Sequence, residues 1–234
     1  MHFEATLRSN IIAAAKDLNS NGVKFATFRK SFCNLDYWIL TNKGGFQLRD
    51  SATPADGIGD IFSNGKKYGF ECATAVIIIL YKGVLDSLGA DRFNQLFPNL
   101  YLYSWEYDSD LGLTTEEAPG ASAQPGDVLY FKNPEVNPEK MEWQGENVIK
   151  LSDDLYFGHG IGIRSAEGII TSLNKHRVTG ATEPAFLMDQ FIYPAFDALS
   201  QHAPADMRPD CTNAGRPNPN AVRASIGART YIRH

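Results

Sequence analysis

The sequence YGFECATAVIIILYKGVLDSLG, residues 68–89, is apolar on nearly every side from Cys72 onward. A segment of this kind is typical of a helix that is buried all round, and the glycine after it is a common helix end. Its β-branched residues would also suit a strand, but an unbroken run of more than about ten residues favours a helix. We therefore expect a buried central helix from Cys72 to Leu88.

Cys72 stands where this helix is expected to begin, directly after the aromatic residues of the segment 68–70. The first N–H groups of a helix have no partners inside it, so they and the positive end of the helix dipole would face the sulfur. This position predicts a lowered thiol pKa and supplies donors for an oxyanion on a substrate carbonyl. The alternative is that Cys72 is a buried apolar residue, the commonest state of a free cysteine.

Three later segments predict the strands of an antiparallel sheet, namely Asp127–Lys132, Asn147–Leu151 and His159–Ile163. The third strand would begin at His159, which lies between two glycines. A helix-borne cysteine that faces a strand carrying a histidine is the papain-like arrangement, in which nucleophile and base meet in space and not in sequence. The alternative for His159 is a structural role with a backbone partner.

The remaining segments predict elements around this core. Phe3–Leu18 has apolar residues at spacings of three and four, which indicates an amphipathic helix. Thr53 followed by Pro54 suits the start of another helix. The further predictions are a hairpin from Tyr37–Leu40 and Phe46–Arg49, and helices at Ile169–Lys175 and Ala185–Phe191.

The length of 234 residues predicts one large domain, because a folded monomer of 25.9 kDa buries about 70% of its surface. We expect this domain to cover residues 1–202. Residues 203–234 are rich in proline and arginine and are expected to form a disordered tail. The apolar stripe of the first helix starts without a cap, which predicts additional sequence ahead of residue 1.

Composition argues against several classes of function. The formal net charge of −5 disfavours a nucleic-acid partner, because phosphate binding needs clustered lysine and arginine. The longest apolar run, Ala73–Tyr81, is about half of what a membrane-spanning helix requires, and no secretory signal is visible.

The cysteines and acidic residues do not indicate a metal site. The cysteines lack C-x-x-C spacing, so neither a disulfide framework nor a zinc site is expected, and Cys33 and Cys211 are expected to take no part in catalysis. The acidic residues at 108–117 lack the order of a calcium loop, and we expect no metal and no cofactor.

Five stretches of the sequence form a long, ordered pattern: KFATF (24–28), YGFECATA (68–75), GDVLYFKNP (126–134), EWQGENV (142–148) and GHGIG (158–162). Together they resemble the bacterial spore-coat transglutaminases, the protein-glutamine gamma-glutamyltransferases of spore formers. The likeness runs from about residue 7 to about residue 196. It implies an α+β fold with a papain-like core, in which the central cysteine-bearing helix packs on an antiparallel sheet.

The resemblance also implies roles for four residues and a place in the cell. Cys72 would be the nucleophile, Glu71 and Glu146 would be partly interchangeable proton-transfer partners, and His159 would have a supporting role. The substrates would be glutamine- and lysine-bearing spore coat proteins, joined by isopeptide bonds. The location would be the mother-cell cytoplasm and the spore coat.

This chemistry places demands on the surroundings of the sulfur. A glutamate that protonates the leaving nitrogen needs an apolar setting, and Trp143 is a candidate neighbour of Glu146. A thioester must also be protected from water, and aromatic side chains would serve that purpose. The aromatic candidates are Tyr68, Phe70, Trp105, Tyr130 and Trp143, all of which could instead belong to the core.

Two other functions remain open from the sequence alone. The first is a cell-wall amidase or peptidase on the same scaffold, because the strand after Gly126 and the histidine at 159 suit both activities. The second is a structural or binding protein of the coat whose site no longer reacts.

Overall fold

The computed structural model describes residues 3–205, 222–226 and 229–233. Within them the helices are α1 (Phe3–Ser20), α2 (Pro54–Ser63), α3 (Cys72–Leu88), α4 (Ala90–Leu96), α5 (Ala166–Asn174) and α6 (Phe196–Ser200). The strands are β1 (Lys24–Phe25), β2 (Trp38–Leu40), β3 (Phe46–Leu48), β4 (Gly69–Phe70), β5 (Tyr101–Leu102), β6 (Leu113–Glu116), β7 (Val128–Lys132), β8 (Gly145–Ser152), β9 (Leu155–Gly158), β10 (Gly162–Arg164), β11 (Phe186–Pro194), β12 (Val222–Ile226) and β13 (Arg229–Arg233).

The main sheet has six strands in the order β10-β9-β8-β7-β11-β6, and every neighbouring pair is antiparallel. Successive residues of β8 alternate between its two faces. Ile149 and Leu151 join the larger apolar cluster, which includes α1 and α3, whereas Val148 joins a smaller cluster that includes α5. The expected α+β fold is confirmed, with the cysteine-bearing helix packed against an antiparallel sheet.

The central helix α3 is buried because most of its residues are apolar, Thr74, Lys82, Asp86 and Ser87 being the exceptions. Residues 73–81 are all buried, and Cys72 is its first residue, as the sequence predicts. Its main neighbour is α1, which presents the apolar stripe Phe3, Leu7, Ile11, Ala14, Ala15 and Leu18. Gly83 permits the closest approach of the two helices, since a Cβ at this position would lie 2.6 Å from Ile11 Cγ1.

A short parallel pair leads the chain into α3. Strand β1 pairs with β4, so that Lys24 lies opposite Gly69 and Phe25 opposite Phe70. The N–H of Ala26 also donates to the carbonyl of Phe70, at 2.9 Å. These bonds fix the backbone two residues before Cys72. The hairpin of β2 and β3 and the Thr53 cap of α2 are both present as predicted.

Two predictions about local structure are wrong. Residues 185–191 do not form a helix: residues 186–191 belong to strand β11, which pairs with β7 on one side and β6 on the other. His159 does not begin a strand: it follows the last residue of β9 and precedes β10. The chain turns there because Gly160 and Gly162 adopt positive φ values of 104° and 84°, which glycine tolerates without strain.

The predicted tail lies largely outside the described residues, which omit 206–221, 227–228 and 234. Within the described part, β12 and β13 form an antiparallel pair. The division of the chain at residue 202 therefore stays a prediction. Among the helices that the structure describes, none is both long enough and apolar enough to cross a membrane.

The contact of Gly83 with Ile11 predicts that alanine substitution changes stability differently at two helical glycines. Gly83→Ala should lower the free energy of unfolding by about 1–3 kcal/mol, because the added methyl group has no space between α1 and α3. Gly59→Ala in α2 is the matched control: a Cβ there meets no atom within 4 Å, so alanine should be neutral or stabilise by up to about 1 kcal/mol. Denaturant unfolding measures both, and equal effects of the two substitutions would contradict the close approach of the helices.

Candidate active site

Glu71 caps the helix that carries Cys72. Its carboxylate accepts hydrogen bonds from the N–H groups of Ala73 and Thr74, both at 2.9 Å, and from Thr74 Oγ1 at 3.0 Å. Thr74 Oγ1 in turn accepts from the N–H of Ser104, at 2.9 Å. These contacts satisfy first-turn donors that have no acceptor within the helix. Sequence reasoning offered such donors to the sulfur and to the oxyanion; that assignment is wrong for Ala73 and Thr74, whose donors Glu71 occupies.

The sulfur of Cys72 lies between a carboxylate and an amide. The thiol is 3.6 Å from Glu71 Oε2, to which it donates, and it accepts a hydrogen bond from Asn147 Nδ2 at 3.3 Å. Burial, followed by the nearby charges of Glu146 and Glu71, raises the pKa of the thiol, and donors from Asn147 oppose this only in part. The expected lowering of the thiol pKa is therefore not found, because burial, which is the largest cause, and the charges of the two glutamates act in the opposite direction.

Glu146 lies on β8 in the interior of the main sheet. Its side chain is 3% exposed, and no atom of the described residues makes a hydrogen bond to its Oε1. Burial, with the charge of Glu71 as a second cause, raises the pKa of Glu146 well above its usual range, and the backbone N–H of His159 offsets this in part. Glu146 is thus held as a neutral acid to a higher pH than an ordinary glutamate.

Gly158 makes the space that Glu146 occupies. A Cβ on this residue would lie 2.8 Å from Glu146 Cγ and 3.0 Å from Oε1. The two residues belong to neighbouring strands, since Gly158 pairs with Val148 in the register of β8 and β9. Residue 158 must therefore be glycine, because any larger residue would occupy the space of the Glu146 side chain.

His159 holds the backbone that leads to the cysteine. Its Nε2 lies 3.2 Å from the carbonyl oxygen of Lys24 and 3.1 Å from that of Phe70, so the nitrogen donates to both strands of the β1–β4 pair. Burial lowers the pKa of His159 to about 4, which keeps the ring neutral near pH 7. These contacts support the structural alternative for this residue, because its ring engages backbone carbonyls and not the sulfur.

Cys72 opens into a cleft of about 1290 Å³. Glu71 and Asn147 line the cleft beside it, whereas Glu146 and His159 lie outside its wall. Its aromatic residues are Phe25, Phe28, Trp105 and Tyr130. Of the five aromatic candidates, Trp105 and Tyr130 thus line the cleft, Tyr68 and Phe70 belong to the core, and Trp143 stacks on His176 at 4.1 Å between ring centroids.

The described residues contain no cluster of side chains suited to binding a metal ion. No group of three or more histidine, cysteine, aspartate or glutamate side chains among them could hold a metal ion. Cys33 is partly buried against the main core, and burial raises its pKa to about 11. Cys211 lies outside the described residues.

Comparison with known proteins agrees with this geometry. The family model for protein-glutamine gamma-glutamyltransferases matches residues 1–203. The chain belongs to this family. A protein-glutamine gamma-glutamyltransferase of Bacillus cereus (strain B4264) is 45% identical over 232 residues, which cover 99% of this chain and 83% of the relative. A relative of the same name from Bacillus anthracis (strain A0248) is 45% identical over 233 residues, with the same coverage.

The fold is also that of a solved transglutaminase. A structure of the transglutaminase from Geobacillus stearothermophilus, without its C-terminal extension, matches with a TM-score of 0.82 and 48% identity. The match covers 86% of this chain and 96% of the solved chain. This transglutaminase is therefore an acyltransferase with protein-glutamine gamma-glutamyltransferase activity.

The sequence does not reveal the roles of two residues in the site. Asn147 lies in the motif at 142–148 and begins a predicted strand, and neither feature indicates that its amide contacts Sγ. Gly158 lies in the motif at 158–162, which does not indicate that it makes room for Glu146. The available signal concerns Asn147: neighbours in a strand point to opposite faces, so its side chain faces away from that of Glu146.

The burial of His159 predicts a specific pH dependence of stability. Its pKa is about 4 in the folded chain against a usual 6.5, so between these values the unfolded chain binds a proton that the folded chain does not. The free energy of unfolding should therefore fall as the pH drops through this window, by about 2–3 kcal/mol at pH 4.5. His159→Gln keeps an N–H donor without titrating and should lack this component.

Denaturant unfolding of both proteins at pH 7.5 and pH 4.5 measures the difference. The native chain should lose more stability than the variant on acidification. Parallel stability curves for the two proteins would show that the folded histidine titrates normally.

Proposed function

We propose that this transglutaminase forms a thioester on Cys72 and then transfers the acyl group to a lysine amine, so that two proteins become joined by an isopeptide bond. The observation that supports this most strongly is the position of Sγ, which opens into the cleft between the carboxylate of Glu71 and the amide of Asn147. The carboxylate of Glu71 can take the thiol proton, and the amide of Asn147 can stabilise negative charge.

In the first step the thiol proton moves to a glutamate, and Sγ attacks the carbon of the glutamine carboxamide. Glu71 is the nearest acceptor, since the S–H group already donates to it. The carbon–nitrogen bond then breaks, and the leaving nitrogen takes a proton from a carboxylic acid and departs as ammonia. Glu71 can return the proton it received. Glu146 lies outside the cleft wall, so its proton would reach the leaving nitrogen through the sulfur or an intervening water.

The raised pKa of Glu146 suits it to the role of proton donor. Its neutral form also avoids a second negative charge beside Glu71 and the sulfur. Because the charge of Glu71 raises the pKa of Glu146, and both carboxylates raise the pKa of Cys72, we treat the three groups as one proton-transfer unit.

In the second step a lysine amine attacks the thioester. A free lysine has a pKa of about 10.4, so its amine must lose a proton before or during the attack, and the glutamate that has become ionised can accept it. Phe25, Phe28, Trp105 and Tyr130 give the cleft aromatic surfaces along which the alkyl part of a lysine can lie. They also exclude water, which would otherwise hydrolyse the thioester.

His159 acts in this scheme as a positioning residue. Its ring joins the carbonyls of Lys24 and Phe70 and so fixes the backbone just before Glu71 and Cys72. The other described contacts of its ring are with the rings of Phe25, Phe70 and Phe157 and not with the sulfur, which supports a positioning role.

The substrates that we propose are glutamine- and lysine-bearing proteins of the spore coat, and the proposed site of action is the mother-cell cytoplasm and the developing coat. This part of the proposal rests on the resemblance of the five sequence stretches to the spore-coat transglutaminases. The cell-wall peptidase and the unreactive coat protein are the competing functions, and the family match favours a transferase over both.

A single assay separates these functions. With a spore-coat extract and a fluorescent primary amine, the native chain should label coat proteins and release ammonia, and Cys72→Ala should do neither. Cleavage of peptidoglycan peptides without amine incorporation would favour the peptidase. Full labelling by Cys72→Ala would contradict the thioester, and no labelling by the native chain would favour the unreactive coat protein.

The shared proton-transfer unit predicts redundancy between the two glutamates. Glu71→Gln and Glu146→Gln should each leave measurable turnover, whereas the double substitution should lower kcat by about 10²- to 10⁴-fold, the usual range for general acid–base catalysis. Steady-state release of ammonia measures the effect. If either single variant is as inactive as the double variant, the two carboxyl groups do not substitute for each other.

A further inference from the structure

We propose that Asn147 is a catalytic residue, whose side-chain amide forms the oxyanion hole together with the backbone N–H of Cys72. This inference rests on the proposed thioester mechanism, because it concerns the negative charge that the attack of Sγ creates. An acyl transfer passes through such a charge twice, once when ammonia leaves and once when the lysine amine attacks.

The donors expected at the start of α3 are mostly occupied. The N–H groups of Ala73 and Thr74 both donate to Glu71, and the N–H of Ser104 donates to Thr74 Oγ1. The N–H of Cys72 remains: as the first donor of the helix it has no acceptor inside α3, and within residues 3–205 no other protein acceptor engages it. One backbone donor is thus free beside the sulfur.

Asn147 supplies the second donor. Its Nδ2 carries two hydrogens, and Sγ, at 3.3 Å, is its acceptor among the described residues. The carbonyl oxygen of an attacked amide is two bonds away from the sulfur, so a group that already touches Sγ is within reach of that oxygen. The second hydrogen of Nδ2 can therefore meet the oxyanion.

The position of Asn147 favours a preorganised donor. It lies within the eight-residue strand β8, opposite Tyr130 of β7, and it is buried except for the face that lines the cleft. A donor fixed in a sheet needs little reorganisation when charge develops, which is the condition for strong oxyanion stabilisation. Its neighbour Glu146 points to the other face, so one strand places an acid and an oxyanion donor on opposite sides.

In the first half the thiol proton passes to a glutamate and Sγ forms a bond to the carboxamide carbon, while the electron pair of the C=O π bond moves to oxygen, where the N–H groups of Asn147 and Cys72 hold it. The C=O bond then re-forms as the C–N bond breaks, and ammonia leaves with a proton from a glutamic acid. In the second half the amine nitrogen bonds to carbon and gives a proton to the ionised glutamate, and the same oxygen becomes negative again. The C=O bond re-forms as the C–S bond breaks, and the departing thiolate takes that proton back.

Two variants test this proposal. Asn147→Ala removes the donor, and Asn147→Leu keeps a similar side-chain shape with neither a donor nor a charge; each should lower kcat by about 10²- to 10³-fold, the range for loss of one oxyanion donor, with little change in KM. If Asn147→Ala does not fold, Asn147→Leu remains as the test that fills the same space. The control is Asn10→Ala, which removes an amide hydrogen bond to Ser87 at the other end of α3 and should leave kcat within about threefold.

Alkylation of Cys72 with iodoacetamide distinguishes two roles of Asn147, stabilisation of the oxyanion and contact with the thiolate. Alkylation needs the thiolate but forms no oxyanion. The variants should lose at most about tenfold in alkylation rate, the effect of one hydrogen bond to the sulfur. Equal losses in alkylation and turnover would overturn the oxyanion role and leave only a contact with the thiolate.

The outcomes also distinguish this inference from the proposed function. If Asn147→Ala keeps kcat within about threefold while Cys72→Ala is inactive, the oxyanion assignment fails and the thioester mechanism stands. If Cys72→Ala itself stays active, the thioester mechanism fails and this inference fails with it.

Discussion

The active site depends on one carboxylate, that of Glu71, placed at the start of a buried helix. It satisfies the first-turn N–H groups of Ala73 and Thr74 and lies 3.6 Å from the sulfur of Cys72. A negative group in this place stabilises the helix but disfavours a thiolate beside it, and burial, the largest cause, raises the thiol pKa further. The resting sulfur is therefore held as a thiol, which donates to Glu71. Oxidation follows thiolate character and exposure, so this arrangement also protects the sulfur at rest.

The sheet and the β1–β4 pair hold the other parts of the site around that helix. Strand β8 carries Glu146 and Asn147 on opposite faces, and Gly158 on β9 leaves the space into which Glu146 fits. His159, one residue later, joins the carbonyls of Lys24 and Phe70 and fixes the approach to Cys72. A buried carboxyl oxygen without a partner is costly, and such groups are retained mainly where they have a function.

The central features of the fold could be predicted because their sequence signals are strong. The long apolar run after Cys72 indicates a buried helix, and Thr53 with Pro54 indicates a helix start; both are present.

The prediction of a helix at residues 185–191 was wrong because their apolar residues fit helical spacing, namely Ala185, Leu187, Met188 and Phe191. Strand β11 shifts its register between Leu187 and Phe191, and this shift breaks the alternation expected of a strand. The state of the thiol could not be predicted, since it depends on how deeply the sulfur is buried and on where the two glutamate side chains lie. Asn147 lies in the motif at 142–148, but its contact with the sulfur is visible only in the folded sheet.

The central claim is that the sulfur of Cys72 carries the acyl group between the two substrates. Intact-mass analysis of the enzyme, incubated with a glutamine peptide in the absence of any amine and quenched in acid, tests it directly. The account predicts an adduct with the mass of the peptide less ammonia, located on the fragment that contains Cys72 and released on addition of a primary amine. An adduct on another residue, or full turnover by an enzyme whose Cys72 has been quantitatively alkylated, would contradict it.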